Sequence, residues 1–145
     1  MRPDFRCNCP FTTALDIVGD KWILVIMKQM LMEGKETFKD FTESDEGIAT
    51  NILSAKLKFL EEVGLLIKTQ RPDNKKTNLY LLTEKGLALI PVLVELAIWS
   101  DENLRDLHPT LVNGEAMEFL RNDKVAFASE IEKKYREKLA ATIKP

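Results

Sequence analysis

Residues 37–83 read TFKDFTESDEGIATNILSAKLKFLEEVGLLIKTQRPDNKKTNLYLLT. Glu36 or Thr37 opens a short helix that turns Phe38 and Phe41 inward. The run SDEG (44–47) supplies a tight turn in which Gly47 is free to take a positive φ. Beyond it, Leu53, Leu57, Leu60 and Val63 recur on one stripe of a longer helix. Asn51, Ser54, Ala55, Lys58 and Glu62 fall on the opposite side at about 100° per residue. Gly64 ends that helix. LLIKTQ (65–70) and NLYLLT (78–83) then alternate like the arms of a hairpin, with RPDNKKT (71–77) as a flexible, basic tip. Pro72 and Asn74 disfavour continued pairing there. Short helix, turn, longer helix and basic hairpin make the layout of a winged helix-turn-helix.

The flanking chain supplies further helices. Residues 1–8 form a short N-terminal arm with little to order them. From Cys9-Pro10 onward, Phe11, Ala14, Leu15 and Val18 recur at helical spacing, Pro10 suits the first helical position, and Gly19 ends the helix. Asp20 can cap the next helix, KWILVIMKQMLMEG (21–34), which is apolar almost all round and so predicts a buried central helix. After the hairpin, Thr83 can cap a long helix running to about Leu107, with Pro91 imposing a kink or a loose first turn. His108-Pro109 breaks it. Residues 116–121 and 125–141 read as two more helices, where Met117, Phe119, Leu120 and Phe127 are the candidates for burial. Trp22 and Trp99, with the methionines from Met27 to Met32, read as core rather than as a ligand pocket. The expected fold is thus mainly α with a small β-hairpin wing, a long helix after the wing and extra C-terminal helices. The expected division is an arm (1–8), a winged-helix domain (9–107) and a C-terminal helical extension (108–145).

With 145 residues, 45% of them hydrophobic and 30% charged, the chain can bury an ordinary globular core. The net charge of −2 hides an uneven distribution. From Ile48 to Leu79 six Lys and Arg (Lys56, Lys58, Lys68, Arg71, Lys75, Lys76) face three acids (Glu61, Glu62, Asp73), so this stretch carries +3 and the remainder −5. A basic face on an acidic body suits a polyanion, although a merely solvated face has the same composition. No apolar segment approaches the roughly 18 residues of a membrane span, and the N-terminus lacks the apolar core of a secretory leader. Two closely spaced cysteines cannot staple a fold, so a cytoplasmic location and no membrane contact are the expectations.

A helix that reads DNA needs base-reaching side chains on one face and apolar anchors on the other. Asn51 suits adenine, Ser54 either base type, and Ala55 a thymine methyl. Lys56 and Lys58 suit phosphate or guanine, and the helix start at Thr50 and Asn51 favours a phosphate. Arg71, Lys75 and Lys76 of the hairpin are the candidate backbone contacts. The expected partner is double-stranded DNA.

CPFTTALDIVGDKWILVIMKQM (9–30), TFKDF (37–41), GIATNILSAKLKFLEEVGLL (47–66) and YLLTEKGLALIPVLVELAIWSDEN (80–103) together resemble the HxlR family of bacterial winged-helix regulators, related to the MarR group. The resemblance spans about Cys9 to Leu107. It strings together a Cys-Pro start, G-x-K-W, a Phe-centred helix, Y-x-L-T-x-x-G and a late Trp. It implies a homodimer on a palindromic operator, repression by occluding a promoter, and a dimer contact made by the first helix and the Trp99 helix. Phe11, Leu15, Leu96, Trp99 and Leu104 are its candidate residues. The chain departs from the family pattern in three places. Ala49 stands where members often carry a capping Ser, leaving Thr50 as a substitute cap. Lys56 stands where Arg is frequent, which keeps the charge but not the planar fork. Lys75-Lys76 occupies the wing.

Cys9 matches the N-terminal cysteine with which some members sense electrophiles, quinones or disulfide stress, which makes a small-molecule or oxidant effector possible. A thiol at a helix N-terminus has its reactive thiolate favoured; a small half-buried Cys that only packs is the alternative. Cys7 adds the options of an intramolecular or cross-subunit disulfide, or of two thiolates toward a soft metal. The lone His108 is distant in sequence, so no metal and no cofactor are expected. Two other classes remain to be weighed. A winged-helix module that binds protein would show no salt-dependent DNA affinity. A thiol enzyme would want C-x-x-C in a βαβ context, which is absent, so no catalytic residues are assigned.

Overall fold

The computed structural model describes residues 3–143, so Met1, Arg2, Lys144 and Pro145, at the outer ends of the expected arm and extension, lie outside the described residues. The packing divides the chain between Leu87 and Ala88 into two compact units.

The first unit holds helices α1 (Pro10–Val18), α2 (Lys21–Met32), α3 (Phe38–Thr42) and α4 (Thr50–Glu62), strands β1 (Leu66–Arg71) and β2 (Asn74–Leu82), and the short α5 (Glu84–Leu87). Asp20 caps α2 by accepting the Trp22 N–H at 2.8 Å. Ile23, Ile26, Met27 and Met30 bury the core side of α2 at i, i+3, i+4, i+7. Trp22 is half-buried under the Lys21 ammonium, 5.1 Å from the ring centroid, and Met32 at the end of the helix is exposed. Helix α3 starts in a capping box. The Asp40 N–H donates to Thr37 Oγ1 at 3.1 Å, and the Thr37 N–H donates to Asp40 Oδ2 at 3.1 Å. Phe41 is fully buried, whereas Phe38 is only half so. Leu53, Leu57 and Leu60 bury one stripe of α4, which packs on α2, α3 and β1.

The hairpin differs from the expected flexible tip. The antiparallel register runs from Leu66↔Leu82 to Gln70↔Asn78, then jumps at a bulge to Arg71↔Asn74. Only Pro72 and Asp73 form the turn, and Lys75 and Lys76 belong to β2. Pro72 suits a turn position that needs no N–H. Asn74 organises the bulge: its Oδ1 accepts the Lys76 N–H at 3.1 Å and its Nδ2 donates to Thr77 Oγ1 at 3.1 Å. At the base, the Tyr80 N–H donates to the Glu36 carbonyl at 2.8 Å, tying the wing to the start of α3. Thr83 caps α5, its hydroxyl accepting the Gly86 N–H at 3.2 Å and donating to the Gly64 carbonyl at 2.6 Å. Gly86 is required by close approach, since a Cβ there would lie 2.4 Å from the Leu65 carbonyl oxygen.

The arm is more ordered than the sequence suggests. The Arg6 guanidinium Nε lies 2.8 Å from Asp16 Oδ1, and the Arg6 N–H donates to the same carboxylate at 3.2 Å.

The second unit packs α6 (Ile90–Asn103), α7 (Glu115–Asn122) and α8 (Lys124–Ile143) against one another. The expected single helix from Thr83 to Leu107 is broken at Ala88–Leu89 and stops at Asn103. Pro91 explains the break: its ring would clash with the Leu87 carbonyl of a continuous helix and it has no N–H to offer. Arg105 explains the stop. Its guanidinium donates to the carbonyls of Leu111 and Val112 at 3.0 and 2.9 Å, drawing the chain into a loop. Leu120 and Tyr135 are buried, and Phe119 meets Phe127 edge-on at 5.5 Å between centroids. Trp99, expected in the core, is exposed.

Asp101 joins the loop and α7 to α6 through ion pairs with Arg121 and Arg105. Arg121 first, then Arg105, hold its carboxyl well below the usual Asp range. A depressed carboxyl contributes stability that is complete above its ordinary pKa and is lost as pH falls through the lowered one. Asp101→Asn should therefore lower the melting temperature by several degrees at neutral pH. The gap to the parent should close only in strongly acidic buffer, as followed by circular dichroism.

Candidate nucleic-acid interface

Burial of its leucine stripe decides what α4 shows to the outside. Thr50, Asn51, Ser54, Ala55 and Lys58 are all exposed; Asn51, Ser54, Ala55 and Lys58 lie on the side away from Leu53, Leu57 and Leu60, and Thr50 is exposed at the helix start. Ala49 is the N-cap and makes no side-chain cap, while Thr50 is the first helical residue and does not replace it. The first-turn N–H groups of α4 are therefore left to a partner from outside the helix.

Lys56 is placed differently from the other candidates. It is half-buried, with its Nζ 2.7 Å from Asp20 Oδ2, the cap residue of α2. Glu46, in the turn ahead of α4, makes a second link to α2. Its Oε1 accepts from the buried Gln29 amide at 2.8 Å, and its other oxygen pairs with Lys28. Lys28 first, then Gln29, lower the Glu46 pKa. Gly47 completes the turn at φ +66°, the left-handed region that favours glycine.

On the wing, Arg71, Lys75 and Lys76 are exposed, with Arg71 Nε 3.1 Å from Asp73. A polar concavity of about 680 Å³ lies between the hairpin and the start of α3, lined by Thr37, Lys39, Asp40, Arg71, Lys76 and Tyr80. It brings two of the three wing candidates together with Lys39, a basic residue the sequence reading missed. The signal was available in the motif itself, whose first helix crosses the DNA backbone.

Cys9 is the N-cap of α1, and Cys7 and Cys9 are both exposed free thiols. The Cys9 thiol closes no capping hydrogen bond. Even so, the Thr12 N–H, ahead of the Thr12 hydroxyl and the Phe11 N–H, favours the thiolate and lowers its pKa. The apolar dimer candidates Phe11 and Leu15 on α1, and Leu96 and Trp99 on α6, are exposed, while Leu104 is half-buried. On α6 the exposed set extends to Val92, which makes Val92, Leu96 and Trp99 a stripe at helical spacing. Among the described residues no three His, Cys, Asp or Glu side chains converge as a metal site, and no helix is long and apolar enough to cross a membrane.

This combination of a buried-stripe helix, a glycine turn and a basic hairpin defines a winged helix-turn-helix transcriptional regulator. The HxlR-like helix-turn-helix family model matches residues 17–108, and the chain belongs to that family. It is 34% identical over 95 residues to the HTH-type transcriptional regulator YodB of Bacillus subtilis strain 168, covering 65% of this chain and 84% of YodB. Among solved structures, PA1607, a putative transcription factor, superimposes with a TM-score of 0.63 at 32% identity, over 76% of this chain and 71% of its own. The redox regulator HypR in its reduced form gives a TM-score of 0.58 at 26% identity, over 70% of this chain and 99% of its own.

The Thr12 contacts make a reactivity prediction. Thr12→Val should slow alkylation of Cys9 by iodoacetamide at neutral pH by up to about twofold, with the difference vanishing once the thiol is fully ionised at high pH. Peptide mass spectrometry reads the rate at Cys9 separately from Cys7.

Proposed function

We propose that this regulator is a repressor that binds a palindromic operator as a homodimer and responds to oxidants or electrophiles through Cys9, with Cys7 beside it. The observation that carries the DNA reading is the outward face of α4: Asn51, Ser54, Ala55 and Lys58 exposed opposite three buried leucines, with Thr50 exposed at an uncapped helix start. Asn51 pairs with adenine, Ser54 hydrogen-bonds a base edge, Ala55 meets a thymine methyl, and Lys58 reaches guanine or phosphate. Arg71, Lys75 and Lys76 grip the backbone beside the groove.

The dimer is supported by the exposed apolar residues Phe11, Leu15, Leu96 and Trp99, with Leu104 at the end of α6, all of which gain by burial against a second copy. The thiol response is supported by the lowered pKa of Cys9 and by the relatives: HypR is named a redox regulator, and YodB has been crystallised both reduced and after diamide treatment. In this scheme the Cys9 thiolate adds to an electrophilic carbon, or adds to the N=N bond of diamide, after which a second thiolate, from Cys7 or from the other copy, displaces the reduced hydrazine and leaves a disulfide. The altered helix start then changes the spacing of the two α4 copies.

Lys75→Ala/Lys76→Ala should weaken binding to all sequences and flatten the dependence of log K on log salt by about two, one per lost phosphate contact. Asn51→Ala should relax discrimination at one base pair by about 1–3 kcal/mol. Affinity and preference unchanged in both variants would remove α4 and the wing as the reading elements. Cys9→Ser should abolish release of DNA by diamide, and a fully retained response would exclude Cys9 as the sensor.

A further inference from the structure

We infer that Lys56, although basic and on α4, is a positioning residue that fastens α4 to α2, and that Glu46 makes the second fastening. The inference rests on the reading of α4 as the recognition helix.

Geometry separates Lys56 from the reading face. Five residues on from Asn51, it lies about 140° around the helix from it, beside the buried leucines and away from Ser54, Ala55 and Lys58. Its ammonium is 2.7 Å from Asp20 Oδ2, with 27% of the side chain exposed. Asp20 uses its other oxygen to cap α2 by accepting the Trp22 N–H at 2.8 Å. One carboxylate thus fixes the start of α2 and holds the second turn of α4 against it.

Glu46 acts at the other end of α2. It precedes the start of α4 by four residues and takes a hydrogen bond from Gln29, which has no exposed surface, and an ion pair from Lys28. Gln29 is nine residues from Asp20, about 13 Å along the axis. Because Ala49 offers α4 no cap, the entry of the helix is set by this turn. Two fastenings this far apart define both the position and the roll of α4, and the roll decides which side chains face a base edge. A partly exposed pair is a modest tether, which suits tuning rather than building the fold.

The test uses a fluorescent duplex selected from a random-sequence library by the unaltered protein, with binding measured across a salt series against that duplex and a scrambled one. Asp20→Asn keeps the cap through its amide oxygen, since Asn caps as well as Asp, and puts an NH2 donor where Lys56 met a carboxylate oxygen, so the ion pair and its hydrogen bond are lost together. Lys56→Gln and Asp20→Asn should each weaken binding to the selected duplex by about two- to fivefold. The salt slope should stay unchanged and the preference over scrambled DNA should narrow, while Lys56→Arg restores both. Lys75→Ala/Lys76→Ala serves as the contrast, lowering the slope. A slope that falls by about one in Lys56→Gln but not in Asp20→Asn would make Lys56 a phosphate contact and overturn the inference. So would a loss that follows the folded fraction with preference unchanged. An unaltered protein whose binding shows neither salt dependence nor sequence preference would overturn the recognition-helix reading itself, and the inference with it.

Discussion

The structure depends on the packing of Leu53, Leu57 and Leu60 against α2, where Ile23, Ile26, Met27 and Met30 present the matching apolar side. Each buried leucine contributes about 1.5–3 kcal/mol relative to exposure. Rotating α4 about its axis by one residue, about 100°, would withdraw all three and bury polar groups in their place. That cost pins the orientation of the helix and, as a consequence, turns the polar face outward. The proposed DNA-reading surface therefore follows from where the leucines go, and is not a separate piece of design.

Packing alone tolerates small rolls and slides, and polar links narrow that freedom. Asp20–Lys56 and Glu46–Gln29/Lys28 join α4 and its turn to the two ends of α2. The absent cap at Ala49 is the counterpart of this arrangement. An uncapped start keeps its N–H groups available to a phosphate, while the turn does the positioning that a capping side chain would otherwise share. The wing is built in a similar way: a buried base, with Leu79, Leu81 and Leu82 inside, carries a polar, bulged end in which Asn74 orders the backbone next to Lys76.

Most of the fold was legible because it is written in local patterns. The leucine stripe, the turn at Gly47 and the caps at Asp20 and Thr83 depend on neighbours within one helical turn, and the structure reproduces them. What escaped depended on partners distant in sequence or on side chains in unexpected use. Asn74, a residue that disfavours strands, closes the bulge and so lets β2 begin at the tip. Pro91 was recognised as a disturbance, but whether it bends or divides a helix is decided by the surrounding chain. Arg6 finds Asp16, and Arg105 finds two carbonyls, by contacts that no periodicity announces. Lys56 meets Asp20, far from it in sequence, a contact that its charge and its place on α4 do not announce. Lys39 joins Arg71 and Lys76 only through the packing of α3 beside the hairpin, which no local pattern announces.

In the proposed scheme, holding DNA belongs to α4 and the wing, and release belongs to Cys9 at the start of α1 and to the dimer that sets the distance between two α4 helices. The most direct measurement is a hydroxyl-radical footprint on the intergenic DNA beside the protein's own gene. The account predicts two protected half-sites related by a dyad, their centres about one helical turn or a multiple apart. Uniform weak protection with no half-sites, at protein concentrations that saturate the duplex, would contradict it.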